Sequence, residues 1–433
     1  MRICVYEDRH VRGLEPLTLT RAAADLLCGL TTLLEKHVRY FAAAGVGHLC
    51  RPVVADLLRE RDPAAAVNDP VWLRGAPTVL VNARWVPPAR PRPNPSPRRH
   101  MLARSPNPFA DAPYLGTAGG KVAFAVLDPR RLQDVSPTNL DECLDDWAQS
   151  LPVREVGGAV VARPWELVDL NGEQIARDFE ATCDPTDVGF HPDGFAVVGH
   201  ADRLFIDPSA RVDPMVVADT TGGPVFIGPD AVVHAFTRLE GPCAVGTGTV
   251  LHGARVRAGT TFGPQCRVGG EVECSVVLGH TNKYHEGFLG HSYVGEWVNL
   301  AAGTHTSDLR CDYQPVSVPV DGAEVSTGRT KVGALIGDHA KTGLGVLLNC
   351  GTVIGPFAQV LPTGTFAPRD IPAFARVGPG GMKELADADR LFATADLVMR
   401  RRGQGLTPAL EAVYRAAARR ADPTAVLPMR RTG

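Results

Sequence analysis

The stretch IGPDAVVHAFTRLEGPCAVGTGTVL, residues 227 to 251, carries an apolar side chain at every sixth position. These positions are Ile227, Val233, Leu239, Val245 and Leu251, and after a shift of one residue Val256, Phe262 and Val268. A second block repeats the period at Ile336, Thr342, Leu348, Ile354 and Val360. Neither an α-helix nor a hairpin array has a period of six, whereas a coil of three short strands, each with one inward side chain, does. The pattern predicts a left-handed parallel β-helix made of hexapeptide repeats.

Glycine follows many of the apolar positions, and the repeat is interrupted once. The glycines are Gly228, Gly246, Gly263, Gly337 and Gly355. We expect them at corners that require a positive φ or a close approach of two backbones. The interruption covers residues 307 to 331, in which VDGAEV resembles a β-hairpin, so we expect this insertion to project from a corner.

The segments before the repeat alternate between strand and helix patterns. RICVY, residues 2 to 6, predicts a buried strand, and residues 30 to 44 predict an amphipathic helix with Gly45 as its C-cap. Further strands are predicted at 78 to 86, at 121 to 127 and near Ala159, followed by a helix that Asn171 caps, and residues 87 to 100 predict a Pro- and Arg-rich surface loop. This alternation is typical of an α/β domain with a Rossmann-like sheet.

A chain of 433 residues is long enough for two or three domains. We predict an α/β domain at 1–200, the β-helix at 201–368 with its insertion at 307–331, and a short helical tail at 369–433. The tail contains an Arg run at 400 to 402, which we interpret as a solvated face, with a phosphate site as the alternative.

The composition limits the kinds of partner. With 45 Lys+Arg and 47 Asp+Glu the formal net charge is -2, so no positive field favours nucleic acid or anionic lipid. The chain has no apolar run long enough to span a bilayer, and we expect a cytoplasmic protein that binds neither membrane nor nucleic acid. Its 10 cysteines form no CxxC pair, which argues against a disulfide framework or a cysteine zinc site.

Residues 279 to 304, GHTNKYHEGFLGHSYVGEWVNLAAGT, concentrate the side chains that acyl transfer needs. Such a reaction needs a base to deprotonate the acceptor and a donor for the developing oxyanion, and histidine is the natural base near neutral pH. Five histidines lie in this stretch or near it, at His280, His285, His291, His305 and His339. Three of the six lysines, Lys283, Lys331 and Lys341, lie in or beside it, and their charge suits a phosphosugar or coenzyme A.

The hexads together with HEGFLGHSYVGEWVNLAAGT resemble the acetyltransferase half of the bifunctional GlmU family. Over residues 1 to 365 the chain is similar to GlmU-related sugar nucleotidyltransferases, in which an abbreviated nucleotidyltransferase-like domain precedes the β-helix. The resemblance implies acetyl-CoA as the acyl donor, an amino or hydroxyl group of a sugar phosphate or sugar nucleotide as the acceptor, and a homotrimer with sites between adjacent β-helices.

Aligned on GEWVNLAAGT, the resemblance places the catalytic base on His285, the acceptor-site aromatic on Phe288 and a sugar-contacting asparagine on Asn299. Three positions depart from the family: Phe288 lacks the hydroxyl that a tyrosine would offer, a second asparagine is replaced by Asp308, and a sugar-binding lysine is replaced by Glu273. The residues expected to bind the substrate are therefore Asn282, Lys283, Phe288, Asn299, Asp308, Lys331 and Lys341. His291 is the alternative base, because other hexapeptide acyltransferases place a histidine a few residues before a Val-Gly step.

The amino-terminal segment LEPLTLTRAAAD, residues 14 to 25, resembles the loop in which sugar nucleotidyltransferases hold the triphosphate, with Arg21 as the basic residue. The Gly-rich L-x-x-G-x-G-T-R loop is missing, and Glu7 and Asp8 follow the first strand instead. These carboxylates could hold Mg²⁺, and Asn82 is expected to line the same cleft. Magnesium-dependent nucleotidyl transfer is therefore the alternative activity.

Two other interpretations remain open at this point. His280 and His285 lie five residues apart, a spacing that can bring two imidazoles to one zinc ion, as in a carbonic-anhydrase-like β-helix. The β-helix can also serve only as a trimeric scaffold that binds a sugar nucleotide without turnover. Our leading interpretation has no metal in the acyl-transfer site.

Overall fold

The protein is described here from a computed structural model, in which the described residues are 1–88, 109, 113–183, 193–381 and 383–421. The predicted surface loop at 87 to 100 lies outside the described residues from position 89 onward.

Seven strands form a mixed sheet in the amino-terminal part. In spatial order they are Val153–Glu155, Tyr114–Ala118, Lys121–Val126, Thr78–Asn82, Arg2–Tyr6, Gly45–Leu49 and Ala66–Val67. The strand Arg2–Tyr6 confirms the predicted buried strand and pairs in parallel with both of its neighbours. Successive side chains of a strand point to opposite faces, and accordingly Ile3 and Val5 lie in one apolar core while Cys4 and Tyr6 lie in another. The sheet is thus covered on both faces.

Seven α-helices occur in the described part of the chain. They are α1 (Leu33–Phe41), α2 (Pro52–Arg61), α3 (Pro70–Arg74), α4 (Leu140–Ser150), α5 (Pro164–Thr182), α6 (Ala388–Arg400) and α7 (Pro408–Ala421). The predicted helix at 30 to 44 is confirmed as α1 with shorter bounds. It begins after Thr32, whose side chain and that of Glu35 form a capping box, and it ends at Phe41. The C-cap is Ala42, with a φ of 47°, and the predicted C-cap Gly45 is wrong, because Gly45 already begins the next strand. None of these helices is both long and apolar enough to cross a bilayer.

The prediction that Asn171 caps a helix is wrong. The helix α5 begins at Pro164, so Asn171 lies in its interior, where its side chain is fully buried. Its Oδ1 accepts from the backbone N–H of Gly29 at 2.7 Å, and its Nδ2 donates to the carbonyl of Gly259 at 2.8 Å. The amide therefore links the amino-terminal part to the coils of the β-helix.

Two short antiparallel strand pairs complete the amino-terminal part. They are Leu27–Cys28 with Thr31–Thr32, and Trp85–Val86 with Ala159–Val160.

From Ala196 the chain forms a parallel β-helix. One face stacks nine strands: Leu204–Ile206, Val225–Ile227, Cys243–Val245, Thr260–Phe262, Val276–Val277, Tyr293–Val294, Leu335–Ile336, Val353–Ile354 and Asp370–Ile371. The strands of the other faces are Ala196–Val198, Arg211–Val212, Val217–Asp219, Val232–Val233, Arg238–Glu240, Val250–Val256, Arg267–Glu273, Asn282–Lys283, Phe288–Gly290, His305–Thr306, Lys341–Thr342, Leu347–Leu348, Gln359–Val360 and Ala375–Val377, and Lys383–Leu385 joins the last of these antiparallel. Every predicted inward position of the repeat is buried, with at most 7% exposure at Thr342. The period of six is thereby confirmed as the inward-facing set.

The insertion contains the predicted hairpin, formed by Ser317–Val320 and Ala323–Ser326. Its apolar residues Val316 and Val318 are buried in the same core as one face of the amino-terminal sheet. The insertion therefore packs against the amino-terminal part instead of only projecting from a corner.

The corners use backbone conformations that the glycine pattern does not reveal. None of the five glycines after the hexad positions has a positive φ. They permit close approach instead: a Cβ at Gly355 would lie 2.2 Å from the backbone nitrogen of Ala373. At one corner the left-handed residues are large rings that stack on one another from coil to coil, namely His280, Trp297, His339, Phe357 and Phe374. We call these five residues the ring column; α6 and α7 cover it with Phe392 and Tyr414.

Candidate functional site

A cleft of about 390 Å³ opens beside His285 on the β-helix. Its lining residues are Arg267, Asn282, Tyr284, His285, Asn299, Leu300, Ala301, Ala302, Leu344 and Arg402. The His285 ring is exposed and meets Tyr284 edge to face at 5.3 Å, and its nitrogens have no hydrogen-bond partner among the described residues. The cleft thus combines a free imidazole, two amides and an apolar wall.

Lys283 supports this site from inside the coil. In the parallel register it takes the inward position that Val268 holds in the preceding coil, so its side chain is buried. Its Nζ donates to the carbonyls of Gly269 at 2.8 Å and His285 at 3.1 Å, and burial lowers its pKa to about 8. Lys283 therefore fixes the backbone that carries His285, and it is not placed to contact a ligand in the cleft.

Asn282, Asn299 and Lys341 follow one another in successive coils as parallel bridge partners. This register brings three predicted binding residues into one outward column. The Oδ1 of Asn282 accepts from Nη2 of Arg402 at 3.0 Å. Lys341 donates to the carbonyl of His339 at 3.4 Å, and burial lowers the pKa of Lys341 to about 8.

His291 lies at a corner with a φ of 45° and is held by Asp308. Its Nδ1 lies 2.7 Å from Oδ2 of Asp308, and both side chains are largely buried. Burial alone would lower the pKa of His291, but hydrogen bonds with Asp308 and Cys274 outweigh it and raise the pKa to about 9. The imidazole is therefore protonated at neutral pH, which makes it a poor base and a good partner for the carboxylate.

Two other predicted residues, Phe288 and Lys331, lie near this pair. A Cβ at Gly290 would touch both the Phe288 ring and the Asp308 carboxylate, so these two side chains lie side by side. Lys331 forms an ion pair with Glu273 at 3.3 Å. The structure thus brings Phe288, Asp308 and Lys331 to the His291 corner, whereas His285 and the two asparagines line the cleft.

The remaining histidines of the predicted cluster have local structural partners. His280 stacks on Trp297 with ring centroids 4.1 Å apart, and burial lowers its pKa. His339 is fully enclosed in the ring column, and its Nε2 lies 3.1 Å from the hydroxyl of Tyr414. The exposed His305 accepts from the backbone N–H of Phe288 at 3.2 Å. In the described residues, no group of three or more His, Cys, Asp or Glu side chains is arranged to hold a metal ion.

The amino-terminal residues predicted to bind a nucleotide divide into two groups. The Nη2 of the buried Arg21 lies 2.6 Å from Oδ2 of Asp338. Burial alone would lower the pKa of Arg21, but the charges of Asp338 and Glu296 raise that pKa. Both carboxylate oxygens of Glu7 accept from Arg51. These partners argue against the predicted triphosphate contact of Arg21 and against a free Glu7 carboxylate.

Asp8 and Asn82, in contrast, line a second cavity of about 250 Å³. Asp8 follows the strand Arg2–Tyr6, and Asn82 is the last residue of the adjacent parallel strand Thr78–Asn82. Open α/β sheets bind ligands at this carboxyl edge of their strands. Asp8 is ion-paired with Arg84, and Nδ2 of Asn82 donates to Oδ2 of Asp8 at 3.1 Å. The cavity is therefore polar, but the carboxylate of Asp8 is already neutralised.

Sequence reasoning missed Arg267 and Arg402 in the cleft. Arg267 pairs with Asn282 in the parallel register, so a column-by-column alignment of the coils would have placed it above the two asparagines. Arg402 belongs to the Arg run that we interpreted as a solvated face, with a phosphate site as the alternative. No local signal shows that the segment after α6 returns to the cleft.

Residues 3–184 match the model of a family described as sugar nucleotidyl transferase. A bifunctional sugar-1-phosphate nucleotidylyltransferase/acetyltransferase of Sulfurisphaera tokodaii is 40% identical over 101 residues, which are 23% of this chain and 25% of that protein. The bifunctional protein GlmU of Xylella fastidiosa is 33% identical over 242 residues, 51% of this chain and 48% of that protein. An uncharacterized acetyltransferase, YaiX of Escherichia coli O6:K15:H31, is 27% identical over 196 residues, 38% of this chain and 76% of that protein. The chain thus spans about a quarter of the first relative and about half of the second.

Proposed function

We propose that this chain, which is related to the bifunctional GlmU proteins, transfers an acyl group to an amino or hydroxyl group of a sugar phosphate or sugar nucleotide, with His285 as the general base. Acetyl-CoA is the proposed acyl donor. The observation that carries the proposal is the exposed imidazole of His285, which has no hydrogen-bond partner in the described part of the chain and lies in a cleft lined by Asn282 and Asn299.

The other four histidines near this stretch are less suitable as the base. His280 and His339 are stacked in the ring column, where burial lowers the pKa of both. His291 is held as an imidazolium by Asp308, and His305 has its Nδ1 engaged by a backbone N–H. A general base needs a lone pair that the acceptor can reach, and the exposed imidazole of His285 provides one.

In the proposed reaction the His285 imidazole takes the proton of the acceptor as its nitrogen or oxygen attacks the acyl thioester. The amides of Asn282 and Asn299 are available to hold polar groups of the acceptor. Leu300 and Ala301 supply an apolar part of the cleft wall beside these amides. Lys283 keeps the backbone of His285 in place through its two carbonyl contacts.

The proposal includes several finer features. The β-helix is left-handed, the protein is a cytoplasmic homotrimer, and each cleft lies between adjacent subunits. The domains are 1–200, 201–368 and 369–433. Leu344, which is 68% exposed at the cleft, supports the trimer because such a side chain would gain burial from a neighbouring subunit.

The test is thiol release from acetyl-CoA with a panel of amino-sugar phosphates and sugar nucleotides. We expect His285→Ala to lower turnover by roughly 10²–10⁴-fold while the oligomer, measured by light scattering, is unchanged. His200→Ala, at an exposed histidine outside the cleft lining, is the matched control and should retain full turnover. Unchanged turnover in His285→Ala would refute the assignment of the base.

A second candidate function is nucleotidyl transfer in the amino-terminal part. It is favoured by the family match over 3–184 and by the 250 Å³ cavity that holds Asp8 and Asn82. The predicted Mg²⁺ ligands do not fit, because Arg84 and Arg51 already occupy the carboxylates of Asp8 and Glu7. The measurement is pyrophosphate release from the common nucleoside triphosphates with a sugar 1-phosphate, with and without Mg²⁺. No release from any triphosphate would exclude this activity.

A further inference from the structure

Two guanidinium groups meet in the cleft of His285. Arg267 lies on the strand Arg267–Glu273, and Arg402 lies in the turn that follows α6. Arg267 donates through Nη1 to the carbonyls of Gly248 at 3.0 Å, Gln265 at 3.3 Å and Cys266 at 2.9 Å. Arg402 donates through Nη1 to the carbonyl of Gln265 at 3.1 Å and through Nη2 to Oδ1 of Asn282 at 3.0 Å. All these acceptors are neutral.

No carboxylate in the described part of the chain forms an ion pair with either arginine. Other arginines of the β-helix differ in this respect, because Arg238 pairs with Asp219 and Glu240, and Arg255 pairs with Glu286. Burial lowers the pKa of Arg402, and the nearby charge of Arg267 lowers it further. Two like charges in a partly enclosed cleft repel each other, and an anionic ligand would relieve that repulsion.

Packing fixes Arg402 in this position. The segment after α6 is held to the β-helix by Gln404, whose amide nitrogen lies 3.0 Å from Nε2 of His280. The backbone N–H of Leu406 donates to Oδ1 of Asp396 on α6 at 3.0 Å. The helix itself packs Phe392 against the ring column. The guanidinium is therefore positioned before any ligand arrives, which lowers the entropic cost of binding.

We propose that Arg267 and Arg402 form a phosphate-binding site in the cleft, so that the ligand recognised beside His285 carries a phosphate group. Two guanidinium groups match the double charge of a phosphate monoester and donate in the planar geometry that phosphate oxygens accept. The inference rests on the proposed function for its choice of cleft and extends it, because it assigns the carboxy-terminal segment a part in substrate binding. The phosphate belongs either to the acyl donor or to the acceptor sugar.

Calorimetric titration of the full chain distinguishes these two sources. The probes are coenzyme A, 3′-dephospho-coenzyme A, glucosamine 1-phosphate and glucosamine. We expect Arg267→Gln and Arg402→Gln each to weaken binding of at least one phosphorylated probe by about tenfold or more, since each removes charge-assisted hydrogen bonds. Arg401→Gln is the matched control, because Arg401 is the exposed neighbour outside the cleft lining, and it should bind like the wild type.

The pattern of losses identifies the phosphate. A loss for coenzyme A but not for its dephospho form assigns the site to the 3′-phosphate, and a loss for both forms assigns it to the diphosphate. A loss confined to glucosamine 1-phosphate assigns it to the acceptor. Binding in both arginine variants that equals that of Arg401→Gln overturns the proposal, as does a wild-type protein that binds none of the phosphorylated probes.

The binding measurement can refute the phosphate site without refuting the proposed acyl transfer, and the reverse is also possible. Phosphate-dependent binding that needs both arginines, in a protein without turnover, would retain the phosphate site and reject acyl transfer. Turnover that needs His285 but does not depend on either arginine would retain acyl transfer and reject the phosphate site. Arg402→Lys keeps the charge and should recover part of the binding, which separates loss of charge from misfolding.

Discussion

The guanidinium of Arg21 and the carboxylate of Asp338 form a buried ion pair, with Nη2 of the arginine 2.6 Å from Oδ2 of the aspartate. Both side chains are about 3% exposed and lie 317 residues apart in sequence. Asp338 also accepts from the hydroxyl of Thr20 at 2.6 Å and from the backbone N–H of Glu296 at 2.7 Å. The loop after the first helical turns of the amino-terminal part is thereby fixed to the β-helix by charge as well as by apolar contact.

Removing one partner of this ion pair leaves the other charge buried without compensation. We expect Arg21→Met to lower the free energy of unfolding by about 3–5 kcal/mol in urea denaturation. Arg130→Met, at an exposed arginine, should change it by less than about 0.5 kcal/mol. The double variant Arg21→Met with Asp338→Leu should recover part of the loss, because the buried Asp338 carboxylate is removed together with its partner. Equal stability of Arg21→Met and Arg130→Met would contradict the role of the pair.

Gly355 is placed where two coils approach closely. A Cβ there would lie 2.2 Å from the nitrogen and 2.5 Å from the Cα of Ala373, so the backbone of one coil must shift. We expect Gly355→Ala to lower the stability by about 1–3 kcal/mol, measured by thermal unfolding. At Gly378 an added Cβ meets nothing within 4 Å, so Gly378→Ala is the control and should melt at the wild-type temperature. Similar melting of the two variants would argue against this coil spacing.

The hydroxyl of Tyr414 on α7 lies 3.1 Å from Nε2 of the buried His339. Tyr414→Phe removes this hydrogen bond and leaves both ring nitrogens without a partner, since Nδ1 of His339 already has none among the described atoms. We expect a loss of about 1–3 kcal/mol in chemical denaturation. Tyr313→Phe, at a tyrosine that is 70% exposed, should be neutral. A neutral Tyr414→Phe would show that the hydrogen bond to His339 contributes nothing to stability.

His291 should make stability depend on pH. Its pKa of about 9 in the folded protein is above the ordinary value near 6.5, so the pair with Asp308 contributes fully below about pH 6.5 and is lost as the pH rises through about 9. We expect the difference in unfolding free energy between the wild type and His291→Asn to shrink by about 2 kcal/mol over this interval. Asparagine suits the left-handed φ of 45° at this corner.

Urea titrations of both proteins at a series of pH values from 6 to 10 measure this dependence. His200→Asn, at an exposed histidine, serves as the control and should run parallel to the wild type. A difference between His291→Asn and the wild type that stays constant with pH would exclude a strongly raised pKa.

The period of six established the β-helix and its inward side chains before any coordinates were known, because every coil repeats the same local requirement for one apolar residue per short strand. The strand at 2 to 6, the helix α1 and the hairpin of the insertion were also predictable, since their patterns involve only neighbours in sequence. The cap assigned to Asn171 was wrong because its partners, Gly29 and Gly259, lie far away along the chain.

The tertiary structure decided which of the charged and ionisable residues are free. The five histidines look equivalent in the sequence, yet stacking, an ion pair and a hydrogen bond engage four of them, whereas the His285 nitrogens have no hydrogen-bond partner among the described residues. Arg267 and Arg402 share one cleft only because the chain returns from α6 to the coil that carries Asn282. Sequence periodicity determines which side of a strand a residue occupies, but it carries no information about partners in other coils or domains. Those partners determine the charge and the exposure of a side chain.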